Sequence, residues 1–193
     1  MTDQFIDSKT FNKETYGDDN LFPKGIYESC TFTGCKFTNT NISDITFIDC
    51  LFDNCDLSLA NITGTTFRTV TFKNCKLLGL DFSLCNTLLI SFSFDNCQMD
   101  VVSFHKLKIP GTLFKNCNLE EADFSDADLT NAIFENSNLN KSIFINTTLE
   151  KADFRSSQNY SIDPQQNKIK KAKFSLPGVI GLLDGYDIQI EKY

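Results

Sequence analysis

The chain has almost no histidine, the side chain most often used as a general acid or base in enzymes. Its 193 residues include no tryptophan, 2 methionines and a single histidine, His105. It also contains no phosphate-binding loop, nucleophile elbow or C-x-x-C metal spacing. We therefore expect a protein that is not an enzyme and that needs no cofactor and no bound metal.

Long apolar runs and a leader-like start are also missing. No stretch reaches the roughly 20 apolar residues of a membrane span, and residues 1–5 have neither the basic nor the apolar region of a signal peptide. The eight cysteines recur in positions that favour small inward side chains, so packed thiols are favoured over disulfides or metal ligands. These features predict a cytoplasmic protein with no membrane association.

What the chain has in abundance is phenylalanine, with 19 copies. Eight of them fall into one column with a step of twenty residues and a single step of twenty-two: Phe32, Phe52, Phe72, Phe94, Phe114, Phe134, Phe154 and Phe174. A cysteine column from Cys35 to Cys117 and an asparagine column from Asn54 to Asn136 have the same step and the same jump. One coil around residues 84–93 is therefore predicted to carry two extra residues.

A finer period of five lies inside each step of twenty. A large apolar residue recurs every fifth position, with a small one two residues earlier, as in Ala122 and Phe124. Five residues match neither the turn of an α-helix nor the alternation of a straight strand. All apolar positions can be buried together only if the chain bends by about a right angle after each repeat, which predicts a four-sided β-solenoid.

The later repeats resemble those of pentapeptide-repeat proteins. Residues 122–126 (ADFSD) and 127–131 (ADLTN) match the A-(D/N)-(L/F)-x-x consensus of that family. The resemblance covers residues 27–155. It implies an all-β fold, a right-handed quadrilateral β-helix, and the length gives it about 6–7 coils.

The ends depart from the repeat. Residues 1–26 are predicted to form an N-terminal cap, and residues 156–193 to form a final partial coil followed by a short helix and strand. Ser175 and Pro177 are typical of a helix start, and residues 187–191 alternate like a strand. Apolar residues here predict either a lid or a homodimer contact, and quinolone-resistance members of the family end similarly in a dimer contact. These candidates are Val179, Ile180, Leu182, Leu183, Ile188 and Ile190.

Function is expected on the outer surface, because the interior is filled by apolar side chains. The net charge is −7, but one outward column alternates in sign: Asp53, Lys73, Asp95, Lys115, Glu135 and Arg155. Such neighbours should pair across strands. The candidate partner surface consists of acids predicted to lack a stacked partner and of two stacked aliphatic residues: Asp81, Asp100, Glu120, Asp123, Leu113 and Ile133.

The family resemblance implies a non-catalytic protein that binds a protein partner and no nucleic acid directly. Some members mimic DNA and bind type II topoisomerase, so the specific hypothesis is binding to DNA gyrase or topoisomerase IV with fluoroquinolone protection. The alternative is a scaffold for another protein. The chain departs from quinolone-resistance members in lacking their long loops, and Phe92 falls where a ring is expected to distort the coil.

Overall fold

A computed structural model describes residues 4–186 and 188–191 of the chain. Within them the backbone winds as a parallel β-solenoid in which each short strand pairs with the strand one coil later. The predicted fold class is confirmed: the protein is an all-β, right-handed quadrilateral β-helix.

The strands are three or four residues long because the chain turns after each five-residue repeat. They are β1 (Gln4–Asp7), β2 (Thr10–Asn12), β3 (Gly25–Glu28), β4 (Thr31–Thr33), β5 (Thr46–Ile48), β6 (Leu51–Asp53), β7 (Thr66–Arg68), β8 (Val70–Lys73), β9 (Phe92–Asp95), β10 (Leu113–Lys115) and β11 (Ile133–Glu135). One parallel sheet has the order β1-β3-β5-β7, and a second has the order β2-β4-β6-β8-β9-β10-β11.

Each coil has four sides, which we number in chain order. Face 1 contains the first sheet and face 2 the second. Faces 3 and 4 are built from single bridges, such as Lys36 with Asp56 on face 3 and Ser103 with Asp123 on face 4. Face 2 therefore lies opposite face 4, and face 1 opposite face 3.

The interior is a set of stacked rings. In the main column the ring centroids of Phe32 and Phe52 are 4.6 Å apart and those of Phe94 and Phe114 are 5.3 Å apart, with nearly parallel planes. Rings from neighbouring faces meet edge to face, as Phe114 and Phe124 do at 5.8 Å. Ring stacking and apolar burial together hold the coils in register.

The small inward residues make a second, polar contribution. The Cys55 thiol donates to the carbonyl of Phe32 one coil earlier at 3.3 Å, and the Ser137 hydroxyl donates likewise to Phe114 at 3.1 Å. All eight cysteines are buried free thiols, as predicted. Burial raises the pKa of Cys50 to about 12, so this thiol is unreactive at neutral pH.

The corners explain the asparagine column. Asn54, Asn74, Asn96, Asn116 and Asn136 all have φ between 51° and 56°. This left-handed region is sterically disfavoured for most residues but accessible to asparagine. The column therefore marks where the backbone turns from face 2 to face 3.

The irregular coil contains its two extra residues just after a corner. Leu89 has a left-handed φ, as do Thr69 and Gly111, and therefore lies at the same corner as they do in the neighbouring coils. Phe92 pairs with Val70, the residue that directly follows this corner in the preceding coil. The extra residues are therefore Ile90 and Ser91, and Ser91 bonds back to the preceding coil.

The steric conflict expected at Phe92 is absent. The residue begins β9, is 5% exposed, and packs its ring 5.2 Å from those of Phe82 and Phe94. Its column neighbours are the smaller Val70 and Thr112, which leave room for a ring.

The N-terminal segment corrects the expectation of a cap outside the repeat. Strands β1 and β2 pair with β3 and β4 through Ile6 with Tyr27 and Phe11 with Phe32. The step is twenty-one residues, which hides this coil from a search for twenty. Phe22 then packs into the end of the stack, with its ring 4.8 Å from that of Tyr27.

At the other end, the predicted helix and strand need correction. The helical part consists of two 3-10 turns, Gly178–Leu182 and Asp184–Tyr186. The turns pass directly over Tyr160: a Cβ on Gly181 would lie 2.1 Å from its carbonyl oxygen. Residues 188–191 form no strand, and Asp187 lies outside the described residues. No helix in the described part of the chain has the length and apolarity needed to span a bilayer.

Candidate functional site: an acidic and aliphatic corner

Four of the predicted surface residues flank one corner of the rod. Asp100 and Glu120 lie on face 3, and Asp81 and Asp123 lie on face 4, on either side of the turn between those faces. Backbone bonds link successive coils here, from the amide of Val101 to the carbonyl of Glu120. The structure therefore brings together at one corner four acids that the sequence placed only on outward positions.

Three exposed aliphatic side chains accompany these acids. Leu59 and Val101 are each 56% exposed and Leu78 is 42% exposed. Leu59 lies over Gly79, where an added Cβ would be 2.7 Å from the Leu59 methyl group. We call this surface the acidic corner. It consists of Leu59, Leu78, Asp81, Asp100, Val101, Glu120, Glu121 and Asp123.

The aliphatic members lie where the backbone disfavours them. Leu59 has a φ of 57° and Val101 a φ of 58°. A left-handed conformation costs roughly 1–2 kcal/mol for an L-residue with a side chain, and is least compatible with β-branching. Asparagine or glycine would satisfy this turn better, so the stability of the fold does not explain the choice of residues.

Local hydrogen bonds orient the carboxylates without neutralising most of them. Asp123 accepts from the backbone amide of Ser125 at 2.8 Å, and Asp81 accepts from that of Ser83 at 3.0 Å. Asp100 accepts from the side-chain amide of Asn118. Each of these bonds uses the Oδ1 atom of its aspartate and helps to fix the direction of the side chain.

The expectation that Glu120 lacks a partner is wrong. It accepts from the side chain of Asn140 at 2.8 Å and lies 4.0 Å from the ammonium group of Lys141. Lys141 pairs more closely with Glu121, at 3.0 Å, and this bond raises the pKa of Lys141. One lysine thus serves two glutamates, and the corner stays strongly negative.

The other two predicted surface residues belong to a different side of the molecule. Leu113 pairs with Ile133 on face 2, opposite face 4. Leu113 is half-buried and Ile133 is 40% exposed. They are therefore a separate surface from the acidic corner.

The sequence reasoning missed Leu59, Leu78 and Val101. Each lies one or two positions after the centre of a repeat, which is an outward position. An aliphatic residue at such an outward position is the signal by which the sequence could have revealed them.

The charge ladder on face 2 does not pair as predicted. Asp53, Lys73 and Asp95 are in register on adjacent strands, yet none of the ion pairs among the described residues joins neighbours in this column. Asp53 instead accepts from the side-chain amides of Asn54 and Asn74 at 3.1 and 3.0 Å. Lys73 is exposed, and an ion pair at an exposed position gains little stability.

Arg155, the last member of that ladder, pairs with the residue two positions before it in the chain. The Arg155 guanidinium donates to both oxygens of Asp153, at 2.7 to 3.1 Å, and Lys173 lies 3.8 Å from the same carboxylate. The hydrogen bond from Arg155 lowers the pKa of Asp153.

The predicted lid or dimer residues divide into two groups. Leu182 is partly buried and packs against the end of the core. Val179, Ile180, Leu183, Ile188 and Ile190 are 36–54% exposed. The segment covers the last coil and also presents an apolar outer surface.

A quadrilateral β-helix with inward rings every fifth residue is the architecture of a pentapeptide-repeat protein. A family model for the pentapeptide repeat region matches residues 26–104, and a model of eight pentapeptide repeats matches residues 117–156. The chain belongs to the pentapeptide-repeat family.

Solved structures with this fold include several of QnrB1, a plasmid-mediated fluoroquinolone resistance protein. One trypsin-treated variant is 17% identical with a TM-score of 0.74, covering 98% of this chain and 92% of that chain. A second is 17% identical with a TM-score of 0.64, covering 97% and 100%. Full-length QnrB1 is 14% identical with a TM-score of 0.57, covering 96% and 100%.

At these identities the likeness to QnrB1 establishes the fold alone. No curated protein matches the sequence.

Proposed function

We propose that the protein is a non-catalytic binding module that presents its acidic corner to a protein partner. The observation that carries the proposal is Val101, an apolar β-branched residue held at a φ of 58°, 56% exposed and surrounded by carboxylates. Residues kept at a conformational cost without a packing role are commonly functional.

The chemistry of the corner defines its partner. Carboxylates in successive coils, about 4.8 Å apart, fit a surface rich in lysine and arginine. Leu59, Leu78 and Val101 add apolar contact area in the same place, as the centre of an interface requires. Binding should therefore weaken with salt but persist at high salt through the apolar contacts.

The specific form of the proposal is that the partner is a type II topoisomerase, DNA gyrase or topoisomerase IV. The protein would occupy a DNA-binding surface of the enzyme as a DNA mimic and protect it from fluoroquinolones. The row of carboxylates and the fold shared with QnrB1, itself a fluoroquinolone resistance protein, support this form.

Supercoiling assays with purified gyrase and decatenation assays with topoisomerase IV, with and without a fluoroquinolone, test it. Micromolar wild-type protein should alter activity or restore it in the presence of the drug. A double variant, Asp100→Asn with Glu120→Gln, should lose the effect, whereas the control Glu135→Gln on face 2 should keep it. Wild-type protein without effect on either enzyme would exclude the topoisomerase form.

A different protein partner is the alternative, and face 2 offers a second surface for it. Ile133 is 40% exposed and stacked on Leu113. A partner held by this surface would be lost with Leu113→Ser and Ile133→Ser but not with the corner variants. The opposite result assigns the partner to the acidic corner.

A cytoplasmic location is part of the proposal. The C-terminal segment is either a lid on the last coil or a homodimer contact. The exposed Val179, Ile180 and Leu183 support a contact between copies. Ile180→Glu should then lower the mass measured by light scattering, with Leu84→Glu, a similarly exposed apolar residue elsewhere, as its control. An unchanged mass would favour a lid.

A further inference from the structure

Face 1 changes its charge from one end of the rod to the other. The outward column that follows its central residues has nine members, and strand pairing joins the first five rows and the last four. They are Asp7, Glu28, Ile48, Arg68, Leu88, Pro110, Thr130, Glu150 and Lys170. The first two members are acidic and the last is basic.

The adjacent corner column strengthens this gradient. Asp49 lies at the acidic end, and Lys151 and Lys171 lie at the basic end, where Lys168 adds a fourth cation. None of these charged residues takes part in an ion pair among the described residues. The two ends of face 1 therefore carry opposite charges that the molecule itself leaves uncompensated.

The middle of face 1 is apolar. Leu88 and Leu89 are 62% and 68% exposed, and the next coil presents Pro110 and Gly111 beside them. Arg68, on the other side, has a buried Nε without a hydrogen-bond partner in the described structure. The fifth of the nine rows is thus an exposed pair of leucines, and the guanidinium group next to it has an Nε atom without a hydrogen-bond partner in the described structure.

We propose that face 1 is a self-complementary surface on which two copies of this chain pack flank to flank in antiparallel orientation. A two-fold axis in the interface, perpendicular to the rod and through the row of Leu88, places each row opposite its counterpart from the other end. Leu88 then meets Leu88, and Asp7 meets Lys170. Every contact away from the axis occurs twice, as an isologous interface requires.

The remaining rows are compatible with this arrangement. Arg68 comes within side-chain reach of Asp128 of the second copy, which lies one row beyond Pro110. Glu28 opposes Glu150, but the adjacent Lys151 is positioned to offset that repulsion. A parallel arrangement would instead place acids on acids and lysines on lysines, so the charge distribution selects the antiparallel one.

The size of the face sets the expected affinity. Nine rows span about 40 Å, and the strand segment is about 10–13 Å wide. Such a footprint is on the order of 500 Å² per copy, or about 1,000 Å² in total, at the low end for specific interfaces. We expect a dimer with a micromolar dissociation constant that weakens as salt increases.

A pair of charge-reversal variants tests the proposal. One carries Asp7→Lys and Glu28→Lys, and the other carries Lys170→Glu and Lys171→Glu. In sedimentation equilibrium, each alone should dimerise at least 10-fold more weakly than wild type. An equimolar mixture should recover a one-to-one dimer, because each end of the mixed dimer then pairs opposite charges.

The stoichiometry separates this arrangement from others. A head-to-tail contact would also be restored by mixing, but would grow into open chains rather than stop at a dimer. Leu88→Glu should abolish the dimer, and Leu78→Glu on face 3, opposite face 1, should leave it intact. Circular dichroism establishes that each variant is folded.

Three results would overturn the proposal. The first is a wild-type protein that stays monomeric to about 100 μM, near the weak end of specific association, and the second is a mixture that does not recover the dimer. The third is an association that Ile180→Glu abolishes and that the face 1 variants leave unchanged. The last assigns association to the C-terminal segment. None of these results bears on the acidic corner, which lies between faces 3 and 4.

Discussion

Face 2 and the acidic corner are both rich in charge, but they are built on opposite principles. On face 2 the signs alternate from coil to coil, and Asp53 is held by neighbouring asparagine side chains. At the corner, Asp100 and Glu120 lie in successive coils, and the exposed Leu59 and Val101 occupy left-handed turns. The first arrangement lowers repulsion in a stack of strands, whereas the second maintains repulsion that a partner could relieve.

The difference shows why net charge is a poor guide to a binding surface. The chain has a net charge of −7, yet face 2 is close to neutral along its length. The excess of acidic residues is local. The acidic corner is distinguished by the exposed Leu59 and Val101 beside its carboxylates rather than by the number of carboxylates.

The largest expected effect tests the structural side of the comparison. Phe114→Ala removes a ring stacked on both Phe94 and Phe134 beneath face 2, and should lower the free energy of unfolding by about 3–5 kcal/mol. Urea denaturation measures this. The control Leu78→Ala at the corner should change stability by less than about 0.5 kcal/mol, and an equal loss would mean that Leu78 is structural.

The next effect concerns binding. Asp100→Asn with Glu120→Gln should weaken the partner complex by about 10- to 100-fold, since each lost charge contact at an interface is worth roughly 1 kcal/mol or more. Calorimetric titration at two salt concentrations measures the loss. Asp95→Asn with Glu135→Gln on face 2 removes the same number of charges and is the matched pair, and an equal loss there would erase the distinction between the surfaces.

Val101→Asn should separate stability from function. The substitution suits the left-handed corner better, so the protein should gain about 1 kcal/mol in unfolding free energy. It should also bind its partner more weakly, because the exposed apolar contact is lost. A variant that is less stable than wild type would show that Val101 is needed for the fold.

The smallest effect is a pH dependence at the end of face 2. Arg155 holds the pKa of Asp153 below its usual range, so this pair stabilises the fold above the unfolded-state pKa of about 3.9. The contribution is lost as pH falls through the lower folded-state pKa. Asp153→Asn should therefore lower the melting temperature at pH 7 and have a smaller effect near pH 2, and a constant difference would contradict this origin.

Much of the fold could be read from the sequence because inward positions repeat with the geometry of the coil. The Phe32 column, the cysteine column and the asparagine corners each required the same step. The N-terminal coil escaped because its step is twenty-one, and Phe92 was misjudged because the space beside Val70 and Thr112 depends on packing between coils. The C-terminal turns over Tyr160 likewise depend on a tertiary contact.

Only part of the candidate site could be predicted from the repeat pattern. The sequence placed Asp100 and Asp123 on outward positions, but they lie on different faces. The turn at Val101 and the bridge between Ser103 and Asp123 in the next coil bring them to one corner. The same applies to the ladder of Lys73 and Asp95, whose register was predictable but whose side-chain partners were not.

The sequence by itself determined the solenoid, its four sides and its outward positions, because burial at every fifth residue allows one solution. Tertiary structure decided which outward residues share a surface, since that depends on how coils stack and corners turn. It also decided which charges pair, because side-chain length and solvation outweigh register at an exposed ladder. For this protein the shape follows from periodicity, and the acidic corner follows from the way the faces meet.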